Sequence, residues 1–350
     1  MPQGPLSIYQ TGQVAAPGIS DLDFVLVFPD GKPMDWAQYQ PQAFPQWVRE
    51  LMTHPPYCCT ESVWTDLSAW YPVFNLQHLW GDVLPEPFCP DKFIAGCALG
   101  MLIDYLIIKV PRDFIWIAWE RPLRVRVLLA MLHSLKYTLK LAEQAGFDIR
   151  EGDLQTVSSV DALRESWFGL VKLKRLKTLA RLCEQVCDIA GELISRVDET
   201  ILEGMKGCSE NRNFTGVESN LFAFVSPWNY VQMMGKAFRH YAKSGKILWE
   251  SPQSFLQVFA IYADACPKFA RYLNSAGCRT HIKWDGGGWN EGLRYHAKAM
   301  LAYSESAIRI GVIPQKYVAL GYRNPPPFWE SARHHAVRFL KNRFKKWLHS

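Results

Sequence analysis

Residues 20–28, Ser-Asp-Leu-Asp-Phe-Val-Leu-Val-Phe, set two carboxylates one residue apart at the head of an unbroken apolar run. A short apolar run rich in β-branched and aromatic residues predicts a buried strand over 24–28. In a strand alternate side chains share a face and each residue advances about 3.3 Å, so Asp21 and Asp23 point the same way with Cα atoms roughly 6.6 Å apart. At an effective dielectric near 20 their repulsion is on the order of 2 to 3 kcal/mol, a cost that a divalent cation removes. Magnesium is the natural occupant, because it takes hard oxygen ligands, usually one or two carboxylates, and leaves its other positions to water and phosphate.

The residues ahead of the pair extend the pattern. Residues 6–11 read as a short strand ending at Gly12, and 13–20, with Pro17 and Gly18, form the turn that returns the chain to the second strand. A glycine at such a strand end lets backbone N–H groups approach a phosphate closely. Gly12 followed at short spacing by Ser20-Asp21-Leu22-Asp23 and an apolar strand resembles the signature of the nucleotidyltransferase superfamily, the minimal fold of the DNA polymerase beta type. Gln13 stands where that family carries serine or glycine, and only a few residues precede the first strand.

The resemblance implies an α+β fold: a small mixed sheet over residues 1–120, then a mostly α-helical acceptor domain over 121–330. It implies Mg²⁺, or Mn²⁺, held by Asp21 and Asp23, with a third carboxylate on a later strand acting as ligand or base. Asp82, closing a strand over 74–82, is the first candidate and Asp66 its rival. Gly12, Gln13 and Ser20 would face the phosphates of a nucleoside triphosphate. The implied reaction moves a nucleoside monophosphate from that donor to an acceptor hydroxyl and releases pyrophosphate. A domain of this type that has lost catalysis and serves as a scaffold is the alternative. Scattered tryptophans lean the acceptor towards a glycan, while a small molecule, a protein or RNA stays open.

Length and composition suit such an enzyme. At about 150 residues per domain, 350 residues suggest two, each able to bury a core. The start, Met-Pro-Gln-Gly-Pro, lacks the charged and apolar regions of a signal peptide. The longest apolar stretch, 93–110, is interrupted by Asp104 and reads as a core helix instead of a membrane span. The nine cysteines are odd in number and contain no Cys-x-x-Cys, so they form no disulfide framework or zinc site. Cys183 and Cys187 share a helix face as small hydrophobes. A reducing cytoplasm fits this usage.

Downstream the periodicity turns helical. Segments 123–145, 162–201, 227–244, 252–276 and 292–310 predict helices, with 162–201 the clearest block. That block carries Lys172, Lys174, Arg175, Lys177 and Arg181, either a solvated face or the wall of a phosphate cleft. Residues 114–119 are strand-like or helical. Residues 207–224 are polar and read as a loop, as does the glycine-rich turn 283–289. Residues 331–350 hold six Lys and Arg and no acid, equal to the whole formal net charge of +6. Their apolar residues fall on one side of a helical wheel. Such a helix docks on its own protein, lies on an anionic membrane surface, or binds a polyanion. In that last reading the chain is a peripheral membrane or partner-binding protein and the aspartates are incidental.

Overall fold

Strand β1, Ser7–Thr11, and strand β2, Asp23–Phe28, run antiparallel, with Ser7 opposite Val27 and Thr11 opposite Asp23, in a computed structural model of the chain. The residues described are 4–106 without 13, 17, 32–33, 53–54 and 74, then 124–204, 214–217, 223–224, 239, 248–252, 254–265 and 287–311. Alternation along β2 feeds two cores. Val25 and Val27, beside Tyr9 of β1, enter the main core, while Leu26 and Phe28 meet Met34, Cys58, Ala307 and Ile310 on the other face. Coverage on both faces explains why the run is continuously apolar.

The chain leaves β2 through two 3₁₀ turns, Trp36–Tyr39 and Pro41–Ala43, and helix α1, Gln46–Leu51. It returns as β3, Tyr57–Thr60, parallel to β2 with Val25 beside Tyr57. Short helices α2, Glu61–Trp64, and α3, Leu67–Trp70, lead to β4, Leu76–Gly81, which pairs antiparallel with the free side of β1. The result is a mixed four-stranded sheet of order β3-β2-β1-β4.

Helices cover this sheet. Helix α4, Asp91–Asp104, is buried at every residue from Gly96 to its end, which is the mark of a helix enclosed on all sides. Helix α5 spans Val125–Gln144, α6 Glu151–Ser166 and α7 Lys172–Gly204. The block expected over 162–201 is therefore two helices. The chain turns at 167–171, where the Gly169 N–H bonds the Ser166 carbonyl and Arg175 reaches back to the Trp167 carbonyl at 3.3 Å while lying over its ring. The apolar period continues through the break because each helix buries its own stripe.

Residues read as a loop over 207–224 contain β5, Phe214–Val217, and β6, Ala223–Phe224. With β7, Leu248–Ser251, they form a second sheet of order β6-β5-β7. Phe214, Thr215 and Val217 have strand character that the surrounding Asn and Gly conceal. Helix α8 is Phe255–Ala265 and α9 is Trp289–Arg309. Helix α9 ties the layers together: Tyr303 stacks on Trp70 at 3.9 Å, Ser306 Oγ meets Thr60 Oγ1 at 2.7 Å, and Ala307 lies under the second sheet face. One core thus joins Tyr9 and Val25 to Leu293 and Tyr303. Among the described residues no helix is long and apolar enough to cross a membrane. Residues 107–123, with the boundary expected at 120, the segments 114–119 and 266–286, nearly all of 227–244, and the basic segment 331–350 lie outside the described residues.

Candidate functional site

The connection between β1 and β2 is locked at both ends. Gly12 has φ +75°, a left-handed conformation suited to glycine, and its N–H donates to the Asn75 carbonyl at 3.2 Å. At the other end the N–H groups of Ile19 and Ser20 both donate to the Ala16 carbonyl. The buried Ser20 hydroxyl oxygen accepts from the Ala16 N–H at 3.1 Å and from Arg164 Nη2 at 3.1 Å. Arg126 of α5 adds a second clamp, donating Nε to the Ile19 carbonyl at 3.1 Å, Nη2 to the Ser20 carbonyl at 3.0 Å, and Nη1 to the Glu50 carbonyl.

These bonds bear on two expectations. The Gly12 N–H is committed to Asn75, so that group is not offered to a phosphate. The Ser20 hydroxyl oxygen accepts from two donors within the protein and so shapes the loop, while its O–H is the group that a phosphate oxygen would accept from. Gln13 lies outside the described residues. The two arginines were not foreseen. Their only trace in the sequence is one cation among several in each of two helix-periodic segments, a pattern that surface residues share.

Asp21 and Asp23 follow directly on this clamped turn, and both are partly exposed. Asp23 opposite Thr11 opens β2 on the Val25 and Val27 face, which looks into the main core layer. The Leu22 N–H donates to the Leu51 carbonyl at the end of α1, fixing the residue between the two carboxylates.

Asp82 is not with them. Gly81 pairs with Ser7, the Asp82 N–H donates to the Leu6 carbonyl at 3.0 Å, and Ser7 Oγ donates to the Asp82 carbonyl at 2.7 Å. Asp82 therefore sits past the Ser7 end of β1, level with Leu6, while Asp23 sits opposite Thr11, five residues or roughly 16 Å away along the strand. The rival, Asp66, accepts from Tyr295 Oη of α9 at 2.7 Å. Strand β3, the neighbour of β2, is Tyr57-Cys58-Cys59-Thr60 and carries no acid. Among the described residues no group of three His, Cys, Asp or Glu side chains is placed to hold a metal. Two carboxylates with phosphate and water are the donor chemistry that a single Mg²⁺ takes, and among the described residues no third ligand stands with them for a two-metal site.

Behind the loop, Arg164 Nη1 reaches Asp161 Oδ1 at 3.4 Å, and the same oxygen meets His133 Nδ1 of α5 at 2.7 Å. Burial pushes the Asp161 carboxyl up, but the His133 hydrogen bond and the charges of His133, Arg164 and Lys136 outweigh it and hold the group below the usual carboxylate value. Of the five cations on α7, Lys172, Lys174, Lys177 and Arg181 are exposed and Arg175 covers Trp167. Burial raises the thiols of Cys183 and Cys187, to about 12 and about 11, so both are protonated small side chains on the α7 face. The chain matches no protein-family profile, no curated protein and no solved structure.

Proposed function

We propose that the chain is a metal-dependent nucleotidyltransferase that uses Asp21 and Asp23 to hold one Mg²⁺, or Mn²⁺, against the triphosphate of a nucleotide. The observation that carries this reading is the carboxylate pair at the head of β2, set directly after a turn that two arginines grip from α5 and α6. The ion, when bound, supplies charge neutralisation and polarisation at the α-phosphate. The protein's own part is positional. Arg126 and Arg164 hold the turn that precedes both aspartates, and the Leu22 N–H to Leu51 carbonyl bond anchors the residue between them. An acceptor hydroxyl on a small molecule, glycan, protein or RNA would attack the α-phosphate, and pyrophosphate would leave. The cytoplasm is the proposed compartment, with residues 331–350 as a contact for a membrane surface or polyanion.

A second reading is favoured by β3, which offers no acid beside the pair, and by the committed Gly12 N–H: a nucleotide-binding scaffold of the same fold that does not turn over. Calorimetry with Mg²⁺ or Mn²⁺ and each of ATP, CTP, GTP and UTP tests both, on the wild type and on Asp21→Asn/Asp23→Asn. Metal-dependent binding of one nucleotide, weakened at least a hundredfold in the double variant, supports the site and names the donor. Absence of binding in the wild type overturns it. Pyrophosphate release by the nucleotide that binds separates the enzyme from the scaffold.

A further inference from the structure

We propose that His133, held by Asp161, is the general base that takes the proton from the acceptor hydroxyl, the role for which no third carboxylate is in place beside Asp21 and Asp23 among the described residues. This rests on the nucleotidyltransferase reading above. The two ends of the β1–β2 turn touch one cluster on α5 and α6. At the Ser20 end, Arg164 bridges the Ser20 hydroxyl to Asp161, and Asp161 bonds His133. At the Gly12 end, a Cβ placed on the glycine would lie 4.0 Å from Tyr137 Oη, and the Tyr137 ring meets the His133 ring edge-on at 5.7 Å. His133 is therefore linked to the turn that precedes the two aspartates from both ends, through Asp161 and Arg164 to Ser20 and through Tyr137 to Gly12.

Its chemistry suits a base. An ionised carboxylate only accepts hydrogen bonds, so His133 Nδ1 carries a proton towards Asp161, and whenever the ring is neutral the lone pair is on Nε2. Nε2 accepts no hydrogen bond among the described residues, and both side chains retain access to solvent, 20% and 32% exposed. The groups facing the imidazole are Asp161 and Arg164 from α6 and Tyr137 on α5, with Lys136 close to the carboxylate. In the step, Nε2 takes the hydroxyl proton as the acceptor oxygen bonds to the α-phosphorus. The bond from that phosphorus to the bridging oxygen breaks, and pyrophosphate leaves with the electron pair. Asp161 stabilises the imidazolium that results, and Arg164 orients Asp161 while holding the turn.

Three measurements on the full chain test this: calorimetry with the Mg²⁺-nucleotides, pyrophosphate release with water as acceptor, and ¹⁵N resonances of the His133 ring. His133→Gln is expected to bind nucleotide within threefold of the wild type and to release pyrophosphate at least a hundredfold more slowly, the lower end of what a positioned base contributes. Adding a nucleotide that binds is expected to shift the Nε2 resonance of the wild type, and the shift is expected to vanish in Asp21→Asn/Asp23→Asn. If turnover in His133→Gln stays within threefold of the wild type, the assignment is wrong. Where turnover is too slow to read, a nucleotide that binds without moving Nε2 overturns it and leaves the metal-nucleotide site standing. Failure of the wild type to bind any nucleotide removes both.

Discussion

Ser20 shows how one buried side chain can hold a loop from within the protein. Its hydroxyl oxygen receives two donors from inside the protein, the Ala16 N–H and Arg164 Nη2. Removing it strands both. Ser20→Ala is expected to cost about 1 to 3 kcal/mol for unsatisfied buried donors, read as a fall in the urea midpoint with an unchanged slope. Asp82 gives the opposite expectation. Because the β1 register sets it at the far end of the strand, Asp82→Asn should leave Mg²⁺-nucleotide affinity within twofold of the wild type by calorimetry. Strand β2, which begins at Asp23, was legible because its argument is local: a continuous apolar run needs no knowledge of the neighbours. Asp82 was not, since its position depends on β4 running antiparallel to β1, and no residue in 74–82 encodes strand direction. His133 and Asp161 were missed for the same reason. They lie 28 residues apart on two helices, and only the packing of α5 on α6 brings them to 2.7 Å.

At the scale of elements, the crossing of α4 and α9 is a tight joint. A Cβ built on Gly96 would fall 2.4 Å from the Trp289 carbonyl oxygen and 2.6 Å from Gly292 Cα, both backbone atoms that cannot turn aside. Gly96→Ala must therefore push two helices apart, and overpacking of this kind typically costs about 1 to 3 kcal/mol, here at the upper end because both obstacles are backbone. Gly152 in α6 has nothing within 4 Å of its own Cβ position, so Gly152→Ala should leave stability unchanged or raise it by less than about 1 kcal/mol. Urea unfolding of the two variants side by side checks the contrast. The helical periodicity that predicted α5 and α9 worked because each has one apolar face. It failed at 167–171, where two amphipathic helices in succession keep the same spacing across a break, and at β5, whose Phe-Thr-Gly-Val is too short and too polar in its surroundings to stand out.

For the whole molecule the layers meet at His296. The residue is fully buried on α9, and its Nδ1 sits 2.7 Å from the Ala69 carbonyl of α3, so every layer that α9 touches constrains this ring. Burial depresses its pKa from 6.5 to about 4, against a smaller upward pull from the Ala69 carbonyl. The unfolded chain then binds a proton more readily than the native one. Above pH 6.5 neither state is protonated and the fold keeps its full stability; as pH falls from 6.5 towards 4 the unfolded state gains protons first and stability drops. A shift of this size corresponds to a loss on the order of 3 kcal/mol by pH 4. The lowered carboxyls of Asp30 and Asp161 act in the same sense only at more acid pH, and Asp198, raised by burial, acts in the opposite sense. His296→Asn keeps an N–H donor near the Nδ1 position and removes the titration. The expected outcome is that urea stability of the wild type falls steeply between pH 6.5 and 4 while that of the variant, lower at neutral pH, stays much flatter. Parallel curves for the two proteins would show that acid unfolding begins elsewhere in the molecule.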